Sequence, residues 1–198
     1  MINTVNVDNF PSWLRGAFGS IVLAILLVAI PLPAQAFGSE GQVWGGVGAS
    51  SIYETAPSSF GWWGPSLSLG GVFVLDDFWR VTADTSLSYH PERTLDEGSL
   101  PAETVWSTAL GLRYAFDVLI YVPYLGLSLV AHPLSPPSSV NISGDPFSLR
   151  ATLGVDYRAS RRTSIGAAIE GHAPLTRPAD FPHFASVRAH IGFHFRRF

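Results

Sequence analysis

Three histidines occupy equivalent places in this chain. His90, His132 and His172 each close an extended stretch, in the contexts His-Pro, His-Pro and His-Ala-Pro, and each leads into a loop. Imidazole is a common ligand for Zn²⁺ and Cu²⁺, and three rings meeting at one mouth could hold either ion through nitrogens at roughly 2.0–2.1 Å. Polar rim residues ahead of loop prolines are the simpler expectation for the same pattern. Serine–histidine pairs are the other candidate chemistry: Ser135 with His132, and Ser88 with His90. A serine nucleophile needs a base that a third group orients, so a pair alone is not a catalytic site. His190 and His194 lie four residues apart on one extended stretch, roughly 13 Å from each other, too far to share an ion.

Strands must position these side chains. Eight strand-like segments follow one another: Gln42–Ile52, Ser66–Leu75, Trp79–Tyr89, Thr104–Phe116, Leu119–Ala131, Phe147–Tyr157, Thr163–Ala173 and Ala185–Phe198. Each is near the roughly 9–11 residues that cross a bilayer at a tilt, and their number is even. In the last one, Ala185, Val187, Ala189, Ile191, Phe193 and Phe195 share one face, while Ser186, Arg188, His190, Gly192, His194 and Arg196 share the other. That period of two specifies a strand with one apolar side. The links alternate in length. Asp76–Phe78, Asp117–Val118 and Arg158–Arg162 are tight, whereas the other four links are long and rich in Pro, Ser, Gly and charge. Tight turns at one membrane edge and longer external loops at the other produce this asymmetry.

Before the strands, Arg15 precedes the apolar run Ile21–Ile30, prolines 31 and 33, and Ala34-Gln35-Ala36. This reads as a signal peptide over residues 1–36, cleaved after Ala36, followed by one barrel domain over 37–198. The run is shorter than the roughly 20 residues of a membrane helix. Composition agrees with export to a membrane. The 198 residues include no Cys, so nothing depends on disulfides, and all 12 basic residues are Arg against 15 acidic ones. A net charge of -3 without a basic cluster gives no case for nucleic acid. Hydrophobic residues make up 47% and charged ones 14%, yet the apolar positions after residue 36 are dispersed one in two rather than massed. A membrane barrel distributes them in this way.

Parity then assigns the inward face. It receives Arg80, Arg113, Arg150 and Arg188 with Asp84, Asp156 and Glu170, near balance, as a narrow interior requires of ionised groups. Glu170 is expected to bridge Arg150 and Arg188. Gly46, Gly48, Gly70, Gly111, Gly126, Gly154, Gly166 and Gly192 share that face and relieve crowding there. An ion-paired plug, rather than a pore, is the expectation. Turn lengths set Leu75 opposite Trp79 and Phe116 opposite Leu119, and symmetry about Ser160 sets Arg150 opposite Glu170. Aromatic residues sort into two girdles: Tyr53, Trp62, Trp63, Tyr89, Trp106, Phe147 and Phe184 toward the outer edge, with Trp44, Phe73, Trp79, Tyr114, Phe116, Tyr121, Tyr157, Phe193 and Phe195 toward the periplasmic one.

The final strand, with Phe193, Phe195 and Phe198, resembles the C-terminal strand that the barrel-assembly machinery reads in bacterial outer-membrane barrels. Val122-Pro123-Tyr124-Leu125-Gly126 and Gly154-Val155-Asp156-Tyr157 are similar to motifs of the OmpA-, OmpX- and OmpW-type barrels. The resemblance covers most of residues 37–198. It implies an all-β, eight-stranded antiparallel up-and-down transmembrane barrel in the bacterial outer membrane, with outer-membrane lipid and the assembly machinery as partners. Related barrels include enzymes that remodel lipid A, but neither serine–histidine pair has the surrounding sequence of the deacylases or palmitoyltransferases. No cofactor and no catalysis are therefore expected. A structural or adhesion-like surface role through the loops is the first functional expectation, and a narrow conduit for a small apolar solute is the second. A folded barrel of this kind should migrate differently before and after boiling on electrophoresis in dodecyl sulfate, and identical migration would exclude it.

Overall fold

The computed structural model describes residues 40–53, 62–95, 98–116, 120–132, 147–175 and 183–196. The proposed signal segment, Ser135 and Phe198 lie outside the described residues. Ten strands run β1 Glu40–Tyr53, β2 Trp62–Val74, β3 Trp79–His90, β4 Arg93–Leu95, β5 Gly98–Leu100, β6 Glu103–Ala115, β7 Tyr121–Ala131, β8 Phe147–Arg158, β9 Thr163–Pro174 and β10 His183–Arg196. Eight of them close into an antiparallel barrel in the order β1-β10-β9-β8-β7-β6-β3-β2. The other two, β4 and β5, pair only with each other as a small hairpin within the long link between β3 and β6, an element the sequence pattern does not reveal.

Side-chain alternation explains why these segments become strands of a closed sheet. In β8, Ser148, Arg150, Thr152 and Asp156 are buried inward, and Phe147, Leu149, Leu153, Val155 and Tyr157 are exposed outward. The same inversion holds around the barrel. Among the described residues 30 large apolar side chains are exposed, including Leu67, Leu69, Leu127, Ile169 and Phe193, while the buried set is mostly Ser, Arg, Asp, Glu and His. A water-soluble monomer rarely leaves contiguous apolar patches above a few hundred Å² exposed. Only a hydrocarbon surround makes this distribution favourable, and in such a surround every backbone group must bond within the sheet. The seam meets that demand: β1 and β10 pair continuously from Glu40↔Arg196 to Tyr53↔His183.

The tight turns set the register, and two of the three expectations need correction. The β2–β3 turn is as expected, with Leu75 N–H donating to the Trp79 carbonyl at 2.9 Å. At the β6–β7 turn, Phe116 is opposite Pro123 rather than Leu119: its N–H donates to the Pro123 carbonyl at 2.9 Å, and Ala115 pairs with Tyr124. Among the described residues, the start of β7, Tyr121 and Val122, pairs with Tyr157 and Asp156 of β8. Barrel closure requires neighbouring strands to be staggered, and this offset also brings Ala115, Val122, Tyr124 and Ala168 into one buried cluster. At the β8–β9 turn, Arg150 is opposite His172 and Thr152 opposite Glu170. Here Ser160 N–H donates to the Thr163 carbonyl at 3.0 Å, and Ser160 Oγ accepts from the N–H groups of Arg162 and Thr163, which moves the turn centre one residue on. Both corrections shift the partner by an even number of residues, so every side chain keeps its face.

In the β2–β3 turn, Asp76 Oδ1 accepts from Phe78 N–H at 2.8 Å and Trp79 N–H at 2.6 Å. First the Trp79 bond and then the Phe78 bond hold its carboxyl below the ordinary 3.8. The carboxylate's contribution is therefore complete above pH 3.8 and is lost as pH falls through the lowered value. Asp76→Ala should lower the urea midpoint of the detergent-folded barrel at pH 7, and the gap from wild type should close as the pH is taken below that range. A gap that stays constant with pH would contradict the role assigned to the carboxylate.

Candidate functional site

The lumen is filled by two charged networks that span it. Arg150 on β8 grips Asp84 on β3 through two bonds, Nη1–Oδ1 at 2.8 Å and Nη2–Oδ2 at 2.5 Å, although β6 and β7 lie between those strands. The same guanidinium approaches Glu170 of β9 at 3.7 Å, and Glu170 meets Arg188 of β10 at 2.5 Å while accepting from Ser186 Oγ at 2.9 Å. Glu170 thus bridges the two arginines, diagonally from Arg150 rather than directly across. In the second network Asp156 on β8 accepts from Arg113 of β6 at 2.5 Å and meets His190 Nε2 of β10 at 2.7 Å. Two aromatic rings back these cations. Arg113 lies over Tyr124 at 3.2 Å and Arg188 over Trp44 at 4.2 Å.

Glycine makes the space these groups fill. A Cβ on Gly70 would strike Trp44 and Asp84, one on Gly154 would strike Tyr124, and one on Gly166 would strike Asp156 and His190. What remains at mid-barrel, between residues such as Trp44, Asp84, Arg113, Tyr124 and Arg150, is a void of about 20 Å³, room for about one water. Below it, at the tight-turn end, the barrel widens into an open vestibule of about 1350 Å³ lined by Gln42, Arg80, Arg158, Arg161, Arg162 and His194, among others. Arg80, grouped from the sequence with the lumen charges, is buried at this boundary opposite Arg113.

Above the networks the long-loop end is capped by Ile52, Trp62 and Val105 with Phe184 against them. His90 is fully buried beside this cap. Its Nδ1 donates to the Trp62 carbonyl at 2.9 Å, an acceptor that fixes the proton on that nitrogen. Nε2 then accepts from the hydroxyls of Ser50 and Ser88, each at 3.3 Å. The Ser88–His90 pair does exist, but 3% and 0% exposed inside the barrel, where neither lipid nor water reaches it. Of the three rim histidines, the structure brings two together. His132 and His172 face each other with ring centres 6.0 Å apart, and Phe184 stands between His172 and His90 at 4.9 and 6.2 Å respectively. Among the described residues no three His, Asp or Glu side chains are grouped as a metal centre would require.

The aromatic assignment needs three corrections. Trp44, Trp62 and Phe184 are lumen residues: Trp44 lies tilted against His190 with ring centres 5.6 Å apart, and Trp62 packs on His90 at 5.4 Å with its indole N–H on the Pro91 carbonyl at 2.7 Å. All three sit on inward parity, so position along the strand was the wrong guide for them. At the tight-turn end an aromatic group does form outside. Trp79 and Phe116, with Phe78 of the turn that the sequence reading did not count, surround Tyr114 at 5.1, 5.0 and 5.7 Å, and Tyr121 meets Tyr157 at 5.2 Å. Phe193 and Phe195 also point outward.

No family model and no curated protein matches the chain. Solved structures do. OprG of Pseudomonas aeruginosa aligns over 81% of this chain and 98% of its own, with a TM-score of 0.56 at 15% identity. Ail, the attachment invasion locus protein of Yersinia pestis, solved with the heparin analogue sucrose octasulfate, aligns over 80% and 99% with a TM-score of 0.54 at 13% identity. Neisserial surface protein A aligns over 81% and 98% with a TM-score of 0.53 at 15% identity. This is the fold of the small eight-stranded outer-membrane β-barrels. The outward apolar belt is consistent with residence in that membrane.

In this eight-stranded barrel, sequence parity found the charges but missed several of their partners. His190 has the parity of Arg188 and Gly192, which was the available signal for its place beside Asp156. Glu103 is buried opposite His90, one residue before the strand start read from the sequence. Removing one member of a buried pair leaves the other charge uncompensated, at a cost of roughly 3–5 kcal/mol. Arg150→Met should lose about that much in urea unfolding, and adding Asp84→Leu should recover part of it. Simple addition of the two losses would mean that the pair is not coupled.

Proposed function

We propose that the protein is a non-conducting, non-catalytic outer-membrane barrel that acts through its outer surface, contacting a partner outside the cell with its long loops. The mid-barrel occlusion carries this reading: ion pairs bind nearly opposite strands, leaving about 20 Å³ between them. The cap of Ile52, Trp62, Val105 and Phe184 is a second barrier above. A solute that reached the vestibule would have to break charge-assisted bonds of 2.5–2.8 Å to go further. The surface remains, and there the β4–β5 hairpin gives the long link from His90 to Glu103 a defined shape, with Arg93 opposite Leu100 and Leu95 opposite Gly98. The attachment function named for Ail supports the same reading. Burial of Ser88 and His90 supports the absence of catalysis, because a nucleophile must meet its substrate.

The vestibule of about 1350 Å³ is the one observation that favours a conduit. Planar-bilayer recording separates the two. The wild type should give no discrete conductance step, whereas replacing both Arg150 and Glu170 with Ser should admit ions. Regular steps from the wild type would overturn the occluded reading. For the surface role, expressing cells should adhere to a cell layer above the level of non-expressing cells, and lose that gain when residues 93–100 become a Gly-Ser linker of equal length. Equal adherence by all three strains would overturn it.

A further inference from the structure

We propose that the vestibule at the tight-turn end is a binding site for a small phosphomonoester that also carries an amine, of the phosphoethanolamine class. The inference is independent of the surface role. The charged networks close the inner end of this space, so a ligand entering from the tight-turn side meets a blind pocket. Two turns of opposite charge line it. Asp76 and Asp77 lie in the β2–β3 turn, and Arg161 and Arg162 in the β8–β9 turn. In the ring order two strands separate these hairpins on either side, β1 and β10 one way and β6 and β7 the other, so the turns stand on opposite walls. The pocket is therefore polarised across its width.

The charges of the two turns are not used up within the protein. In the lumen Arg113, Arg150 and Arg188 each hold a carboxylate. Of the other charged groups that line the vestibule, Arg80, Arg158 and Glu40 are also engaged. Arg161 and Arg162, by contrast, hold no carboxylate among the described residues, and Asp77 holds no cation. Two guanidiniums thus face one carboxylate. A phosphomonoester carries roughly −1.5 to −2 near pH 7 and presents three oxygens to guanidinium forks, while an ammonium group at its other end answers Asp77. A phosphodiester headgroup, with a single negative charge, matches two arginines less well. Both turns are held in shape from within. Asp76 Oδ1 accepts from the N–H groups of Phe78 and Trp79, and Ser160 Oγ accepts from those of Arg162 and Thr163, so little backbone ordering accompanies binding. At about 1350 Å³ the space exceeds an ordinary small-ligand pocket of roughly 300–1,000 Å³, so the ligand keeps part of its water and its affinity falls as salt is added.

The test is calorimetric titration of the protein, extracted from membranes in detergent, with phosphoethanolamine at low salt. One molecule per chain should bind, with affinity falling on the order of 10-fold in Arg161→Ser or Arg162→Ser and on the order of 100-fold in the double variant. Ethyl phosphate, which lacks the amine, should bind more weakly than phosphoethanolamine, and Asp77→Asn should remove that difference. Arg93→Ser, in the hairpin at the other end of the barrel, should bind as wild type. None of the replaced side chains supplies a bond that shapes its turn, and the electrophoretic heat shift checks that each variant is folded. Binding no tighter than the detergent blank overturns the site, as does unchanged affinity in the double variant or an equal loss in Arg93→Ser. Equal affinity for ethyl phosphate overturns the assignment of the amine, and equal affinity for dihexanoyl phosphatidylethanolamine overturns the free monoester in favour of a lipid headgroup.

Discussion

The hydrogen-bonded seam between β1 and β10 is the contact on which the rest of this molecule depends. With an apolar surround on the outer face, no water is present to satisfy an unpaired N–H or C=O, and each such group would cost several kcal/mol. A sheet of eight strands could not remain open there. Closure in turn fixes the width of the interior, and that width decides what the inward side chains can do. Eight strands leave room for side chains but not for a water column, so the polar residues sent inward by strand alternation meet one another across the lumen. The outside of the barrel is therefore generic and apolar, while specificity lies within and at the loops.

The interior reconciles two opposed requirements. Charged side chains need partners once water is gone, and large side chains need volume in a narrow tube. Arg113 with Asp156 and Arg150 with Asp84 answer the first, while Gly70, Gly154 and Gly166 answer the second by yielding the space those groups and Tyr124 occupy. The glycines are thus on the inward face for steric reasons, and no unusual backbone torsion is involved. A buried ion pair is weak support for net stability, since desolvation offsets much of its attraction. Its clearer contribution is arrangement: the Arg113–Asp156 and Arg150–Asp84 pairs link strands that are not neighbours in the sheet and so specify one cross-section.

Much of this was legible in the residues. Period-two alternation, tight turns alternating with long links, and the near balance of inward Arg with Asp and Glu all follow from local rules that the chain obeys along its length. Register was less legible, because hydrogen bonds of Ser160 and the stagger of β7 against β6 decide it, and neither is encoded in apolar pattern. The even-numbered slips left all faces intact, which is why the lumen charges were identified although Arg150 was set opposite the wrong residue. Trp44, Trp62 and Phe184 were misplaced for the converse reason: aromatic character suggested a lipid boundary, while their parity placed them inside. The meeting of His132 with His172, and the separation of His90 by Phe184, depends on the barrel's cross-section and has no trace in sequence spacing.

The cross-lumen bond from Asp84 to Arg150 has a consequence for how the chain matures. Its two ends are 66 residues apart and belong to strands with two others between them. They come within reach only when the sheet has curled most of the way round. Until then both groups must keep their hydration, so water leaves the tube at the same stage at which the curl completes. Dehydration of the interior and final rounding of the wall thus become one cooperative event, and a half-curled intermediate is held back by its own solvated charges.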